Sequence, residues 1–223
     1  MPTTLDALDL SALLSSRICH DVISPVGAIV NGLEVLEDEK DGEMRDFAFD
    51  LIRKSARHAS ARLQFARLAF GAAGSAGALI DLADAENVAR GMFQDDKVSL
   101  AWTAPRALFP KNKVKLLLNL VMIATNAIPR GGALGVTVTG EAETASYRIV
   151  AKGPNARIPP HAQALLAGEP EGGVVDAHGI LPFYAGLVAR AAGMDVAVTL
   201  DGDEVVVAAN SSAVPASESA PAA

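Results

Sequence analysis

The amino-acid sequence predicts an α+β protein in which an N-terminal helical hairpin precedes a C-terminal α/β sandwich. Three observations support this prediction. Apolar residues recur every three or four positions up to residue 70, a segment of small residues follows at 71–78, and a two-residue period then mixes with the helical one. We expect domains at 1–74 and 75–209, followed by a disordered tail rich in serine, alanine and proline at 210–223.

The composition excludes several classes of protein. Half of the 223 residues are hydrophobic and 20% are charged, which is enough apolar mass for a core. The formal net charge of −7 argues against binding to nucleic acid or to an acidic membrane. A single cysteine, Cys19, allows neither an intrachain disulfide nor a multi-cysteine zinc site, and the acidic N-terminus does not resemble a signal peptide. We therefore expect a cytoplasmic protein without a membrane span.

Two long amphipathic helices are predicted in the first domain. Residues 5–38 carry an apolar stripe, the acidic segment Glu37–Glu43 forms a turn, and residues 44–70 repeat the helical period. A hairpin of two such helices leaves each stripe half covered, and a second hairpin completes a four-helix bundle. The sequence therefore predicts a homodimer.

The second domain is predicted to layer helices on a sheet that contains two β-hairpins. Strands separated by helices are typical of such a layered fold. We predict helices at 84–94, 112–128 and 178–192, and strands at 98–102, 134–140, 146–151, 195–200 and 204–209.

His20 is the main candidate for chemistry. On a helical wheel it lies opposite the apolar stripe, so its imidazole is expected to point out of the bundle. Asp21 follows it and can influence which ring nitrogen carries the proton. Pro25 cannot donate to the carbonyl of Asp21, so the helix should bend or loosen just after His20. The face around His20 is predicted to dock a partner, through Arg17, Ile23, Ser24, Gly27 and Asn31.

One segment of the first helix, Cys19–Pro25, resembles the H-box of two-component histidine kinases, whose histidine accepts a phosphoryl group. Residues 116–132 are similar to the kinase N-box helix and its glycine turn, with Asn126 at the position of the metal-binding asparagine. Ala151 replaces the aspartate that reads adenine in the kinases, and residues 178–183 lack the glycine-rich phosphate loop. Because both anchors for a nucleotide are missing, we infer that the protein does not bind ATP.

The whole pattern over residues 8–209 resembles the ChpT-type histidine phosphotransferases of alphaproteobacteria. The resemblance implies a dimer with a histidine-kinase-like fold and a degenerate ATPase-like domain. It implies transfer of a phosphoryl group from the receiver domain of a CckA-like hybrid kinase to His20, and from His20 to CtrA-like and CpdR-like response regulators. Asp21 would hold the tautomer, the receiver would supply Mg²⁺, and no cofactor or metal of the protein's own is expected. Arg157 is a candidate for a further receiver contact.

The second helix is basic between Arg53 and Arg67. Folding the hairpin about its turn places Arg62, which lies on the apolar stripe, level with His20. We expect Arg62 or Arg57 to hold the bundle or to neutralise the transferred phosphoryl group, and a solvated basic face is the alternative.

Two other functions stay open at this point. One is an autophosphorylating kinase with a divergent nucleotide site, and the other is a non-catalytic dimeric adaptor that binds receivers. The remaining candidates for chemistry, His161 and His178, are expected to be exposed loop or capping residues rather than ligands.

Overall fold

Two long helices form the N-terminal hairpin. The computed structural model describes residues 3–38, 42–71, 77–95 and 97–212, and in it α1 spans Ala7–Asp38 and α2 spans Glu43–Ala69. Asp6 begins α1, since its carboxylate accepts hydrogen bonds from the backbone N–H groups of Leu8 and Asp9 at 2.7 and 3.0 Å. The centre of the predicted turn, 39–41, and the predicted domain boundary at 74 lie outside the described residues.

The hairpin is tightly packed along a narrow seam. Of the 32 residues of α1, all of which are described, only Pro25 and Gly32 are buried. Gly32 allows the two helices to approach, because a Cβ at this position would lie 2.6 Å from Cγ1 of Ile52 on α2. Larger apolar residues of the predicted stripe, such as Ile18 and Ile29, are only half-buried. The hairpin alone therefore leaves much of its apolar surface uncovered.

By length and composition, α1 is the one helix in the described residues that could cross a membrane. The N-terminal part of this helix packs on the C-terminal domain. Leu10 and Leu13 contact a small core formed by Ile180 and Phe183 of the C-terminal domain, and the backbone N–H of Thr3 donates to the carbonyl of Gly168 at 2.7 Å. These contacts hold the start of α1 against the C-terminal domain.

The C-terminal domain alternates strands and helices. In chain order its described elements are β1 (Leu79–Asp81), α3 (Leu82–Phe93), β2 (Val98–Thr103), β3 (Leu108–Pro110), α4 (Lys111–Asn126), β4 (Gly132–Thr139), β5 (Ser146–Lys152), α5 (Ala162–Ala167), α6 (Ile180–Ala192), β6 (Met194–Asp201) and β7 (Glu204–Ser211). The helices and strands predicted from periodicity are all present, with bounds that differ by three residues or fewer. The α+β class is thereby confirmed.

The five longer strands form one sheet in the order β2-β4-β5-β7-β6. β2 runs parallel to β4, and all other neighbours are antiparallel, which confirms the two predicted hairpins, β4–β5 and β6–β7. One face of the sheet is buried in cross-strand rows such as Leu134, Ala151 and Val205. The opposite face carries exposed polar residues such as Thr137 and Arg148. The helices therefore cover one side of the sheet.

The end of α2 is part of the same core as the C-terminal domain. Phe65 of α2 packs edge-to-face on Phe93 of α3, with ring centroids 5.1 Å apart. The side-chain Nδ2 of the buried Asn119 on α4 donates to the carbonyl of Ala69 at 3.1 Å, which satisfies an acceptor in the last turn of α2. The hairpin is thus fixed on the domain at this end.

The structure extends the sequence prediction in four places. It adds the short elements β1, β3 and α5, of which β1 and β3 pair in a separate two-stranded sheet. It also corrects the predicted start of the tail, because Asn210 and Ser211 belong to β7. The backbone N–H of Ser211 donates to the carbonyl of Ala145 at 3.0 Å, and residues 213–223 of the predicted tail lie outside the described residues.

Candidate phosphoacceptor site

His20 stands on the outward face of α1. Its side chain is 85% exposed, as the helical wheel predicts. Neighbouring positions on this face, including Ser16 and Ser24, are exposed and small. A partner protein can therefore reach the imidazole without moving any other part of the described chain.

Asp21 is held in a fixed position beside His20. Its Oδ1 lies 3.5 Å from Nδ1 of His20, and its Oδ2 accepts a hydrogen bond from Nε of Arg17 at 3.1 Å. Arg17 is one helical turn earlier, so the pair forms within α1. The side chains of Arg17 and Asp21 are only 23% and 18% exposed. We predicted Arg17 as a partner contact, and the structure shows that its guanidinium is engaged within the chain.

Arg62 reaches α1 from α2. Its Nη1 donates to the backbone carbonyl of Asp21, which confirms that Arg62 lies level with His20. No hydrogen bond or ion pair links Arg62 to the imidazole in the described parts of the chain. The contact joins the two helices of the hairpin, and both roles predicted for Arg62 stay predictions.

The predicted docking face is open to solvent. Ile23 is 69% exposed, and Ser24, Gly27 and Asn31 are exposed on the same side of α1. A Cβ added at Gly27 would meet no atom within 4 Å. This surface is therefore uncovered next to His20 in the described chain.

The other two predicted arginines lie away from the imidazole. Arg57 lines a groove between α2 and α3, together with Asn87 and Gly91. This groove is on the side of α2 that faces away from α1, so Arg57 does not accompany Arg62 at His20. Arg157 is exposed in the loop after β5, where its backbone N–H donates to the carbonyl of Ala127 at 3.0 Å.

A cleft of about 610 Å³ lies between the end of α4 and the start of α6. Asn126, His161 and His178 line it, and this is the place that the resemblance to kinases assigns to a nucleotide. His161 lies in an exposed loop and its Nδ1 is 3.2 Å from Oε2 of Glu171. Within the described ranges, no group of three or more His, Cys, Asp or Glu side chains is arranged to hold a metal ion.

A carboxylate from the chain itself binds the turn that leads into α6. Oδ1 of Asp176 accepts hydrogen bonds from the backbone N–H groups of His178 and Gly179 at 3.0 and 2.7 Å. These hydrogen bonds, that from Gly179 above all, hold the pKa of Asp176 below its ordinary value. N–H groups at a helix start are the usual binding site for phosphate. Here two N–H groups just before the helix, those of His178 and Gly179, already bind an anion.

Comparisons with known proteins identify the family. Residues 82–204 match the family model of the histidine phosphotransferase C-terminal domain. The chain is 51% identical over 209 residues to the protein phosphotransferase ChpT of Brucella abortus (strain 2308), an alignment that covers 94% of this chain and 99% of that protein. The chain belongs to the histidine phosphotransferase family.

Solved structures extend this comparison. A bacterial phosphotransferase aligns with this histidine phosphotransferase at a TM-score of 0.85, with 49% identity over 94% of this chain and 99% of that one. The histidine kinase domain of a blue-light activated kinase from Erythrobacter litoralis EL346 aligns at a TM-score of 0.44, with 14% identity over 83% of this chain and 94% of that one.

Sequence reasoning missed two features of the histidine phosphotransferase site. The first is the pairing of Arg17 with Asp21, which the spacing of four residues could have indicated. The second is the carboxylate of Asp176 at the start of α6. Asp176 lies four residues before α6, and an aspartate in a turn commonly accepts hydrogen bonds from backbone N–H groups two or three residues later.

Proposed function

We propose that this phosphotransferase relays a phosphoryl group through Nε2 of His20. The observation that carries the proposal is the imidazole itself, 85% exposed with Nδ1 turned toward the carboxylate of Asp21 at 3.5 Å. Because Arg17 fixes that carboxylate, Nδ1 is favoured as the protonated nitrogen and the lone pair of Nε2 is left free for attack.

The proposed step balances without a further reactant. The lone pair of Nε2 attacks the phosphorus of an aspartyl phosphate, and the P–O bond to the aspartate breaks as the P–N bond forms. The aspartate leaves as a carboxylate with the bonding electrons, while the ring keeps its proton on Nδ1 and becomes positively charged. The nearby carboxylate of Asp21 stabilises that charge. Transfer from His20 to a second aspartate is the same step in reverse.

The partners in this proposal are receiver domains. The donor is the receiver of a hybrid histidine kinase, and the acceptors are the receivers of response regulators, each of which brings the Mg²⁺ that neutralises the phosphoryl oxygens. The open surface of Ile23, Ser24, Gly27 and Asn31 would contact the receiver beside His20. Arg157, exposed on the C-terminal domain, is proposed as a second contact.

Two features of the C-terminal domain support transfer that does not use ATP. Ala151, at the position of the adenine-reading aspartate, is fully buried between Leu134 and Val205 in the sheet. The carboxylate of Asp176 occupies the N–H groups of His178 and Gly179, where a nucleotide phosphate would bind. A phosphate there would have to displace a negative charge that is already hydrogen-bonded.

The apolar surface of the hairpin supports a homodimer. On α1 the spacing alternates between three and four residues along Cys19, Val22, Val26, Ile29, Leu33 and Leu36, and on α2 along Phe49, Ile52, Ala56, Ala59 and Leu63. This is the heptad spacing of helices that pack in a bundle. Several members are exposed in the single chain, at 43% for Val26, 48% for Leu33 and 45% for Phe49. A second hairpin would cover them and form four helices with His20 outside.

The proposal is tested by mixing the purified protein with a ³²P-labelled phosphorylated receiver and Mg²⁺. We expect acid-labile, base-stable label on the wild type and none on His20→Gln. Equal label on both proteins would refute His20 as the acceptor. Label obtained from ATP alone would favour the autokinase, and receiver binding without label on the wild type would favour the adaptor.

A further inference from the structure

Helix α1 lacks one of its backbone hydrogen bonds next to His20. In an α-helix each N–H donates to the carbonyl four residues earlier. Pro25 lies inside α1 and has no N–H. The carbonyl of Asp21 therefore lacks its regular donor, the N–H four residues later.

Arg62 supplies the missing donor from the other helix of the hairpin. Its Nη1 donates to this same carbonyl, across 41 residues of sequence. Asp21 and Arg62 also line a void of about 10 Å³ beneath the His20 turn, together with apolar residues that include Phe65, Met92 and Met122. The carbonyl thus receives from α2 a donor that its own helix does not supply at position 25.

The result is that Asp21 is held by two arginines, each at a different group. Arg62 binds its backbone carbonyl from α2, and Arg17 binds its carboxylate from the preceding turn of α1. The remaining carboxylate oxygen faces Nδ1 of His20. The orientation of the imidazole is therefore linked to α2 through the backbone of Asp21.

We propose that Arg62 is a positioning residue that replaces the helix hydrogen bond removed by Pro25 and so fixes the direction in which Nε2 of His20 is presented. The inference rests on the proposed function of His20. In this proposal Arg62 does not contact the phosphoryl group. Its positioning role disappears if the backbone N–H at position 25 is restored.

The test is a double-mutant cycle with Arg62→Met and Pro25→Ala. Methionine keeps the length of the side chain without a donor, and alanine returns an N–H to position 25. The measured quantity is the rate constant for label transfer from a saturating concentration of phosphorylated receiver. We expect Arg62→Met to slow transfer about tenfold with Pro25 present, and less than about twofold in the Pro25→Ala background.

Two further measurements separate positioning from a purely structural effect. Arg62→Lys keeps one donor and should recover most of the rate. The final extent of labelling and the receiver concentration at half-maximal rate should be unchanged in Arg62→Met, because the folded fraction and the docking face are intact. A lower final extent of labelling with an unchanged rate constant would overturn the proposal, since it indicates misfolded protein rather than a misplaced imidazole.

An equal slowing in both backgrounds would also overturn the inference, since Arg62 would then act without the Asp21 carbonyl. Urea unfolding of the four proteins reports the same coupling independently of phosphotransfer. If the wild type accepts no label, the proposed function fails. The unfolding cycle still decides whether Arg62 replaces the hydrogen bond that Pro25 removes.

Discussion

The hairpin and the C-terminal domain differ in how much of their apolar surface they cover. Only 2 of the 32 residues of α1 are buried, whereas 11 of the 16 residues of α4 are, and both helices are fully described. An exposed apolar surface of this extent is typical of an interaction site. This difference supports the proposed homodimer, in which a second hairpin covers the exposed apolar surface of the first while the C-terminal domain keeps a core of its own.

The largest expected change in the free energy of unfolding follows from truncation of a side chain in the core of the C-terminal domain. Leu117 of α4 is fully buried, and Leu117→Ala should lower the free energy of unfolding by about 2–5 kcal/mol because it leaves a cavity. Ile23→Ala, on the exposed face of α1, should change it by less than about 0.5 kcal/mol. Urea denaturation measures both. Similar losses for the two variants would contradict the division into scaffold and docking hairpin.

The next effect concerns the proposed dimer face. Leu33→Asp places an unpaired charge where the second hairpin would pack, and it should weaken the dimer about a hundredfold or more. Sedimentation at micromolar concentration should show the monomer mass. Ser16→Asp adds the same charge on the outward face of α1 and should leave the dimer intact. A wild type that is already monomeric would disprove the dimer.

A pair of glycine substitutions compares the two sides of α1. Gly27→Ala should raise the free energy of unfolding by about 0.5–1 kcal/mol, since alanine favours a helix and the site is open, but should slow transfer because a methyl group protrudes on the docking face. Gly32→Ala should instead lower stability, because its Cβ would lie 2.6 Å from Ile52. Unchanged transfer in Gly27→Ala would place the receiver elsewhere.

The last effect is a pH dependence of the scaffold. Burial raises the pKa of Tyr147 well above its ordinary value of 10.0, and its hydroxyl donates to the carbonyl of Lys113 at 3.3 Å. Above about pH 10 the unfolded chain releases this proton while the folded chain keeps it, so stability falls as pH rises.

Tyr147→Phe removes this contribution. The variant should be less stable than the wild type at pH 7 by about 0.5–1.5 kcal/mol, because a hydrogen bond is lost. It should then lose less stability than the wild type between about pH 9 and 11. Burial also raises the pKa of Tyr184. Because Tyr184 is present in both proteins, its contribution cancels in the difference between the two stability curves. Parallel curves of unfolding free energy against pH would show that Tyr147 does not cause this loss of stability.

The sequence allowed correct predictions where helical periodicity alone decides which face of a helix a residue occupies. Helical geometry predicted the two long helices and the outward position of His20. It also predicted that Arg62 on α2 lies beside the His20 turn of α1. The spacing of four residues could have indicated the partner of Arg17, but the partner of Arg62 could not be predicted, because a long side chain can reach several acceptors that only the packed structure brings close. The strands β1 and β3 are three residues each, too short to show a period.

The most direct test of His20 as the acceptor is a ¹H–¹⁵N spectrum of its ring before and after addition of a phosphorylated receiver. We predict that the ¹⁵N resonance of Nε2 acquires a coupling to phosphorus while Nδ1 retains its proton. Coupling at Nδ1 of His20, or at the ring of any other histidine, would contradict the account.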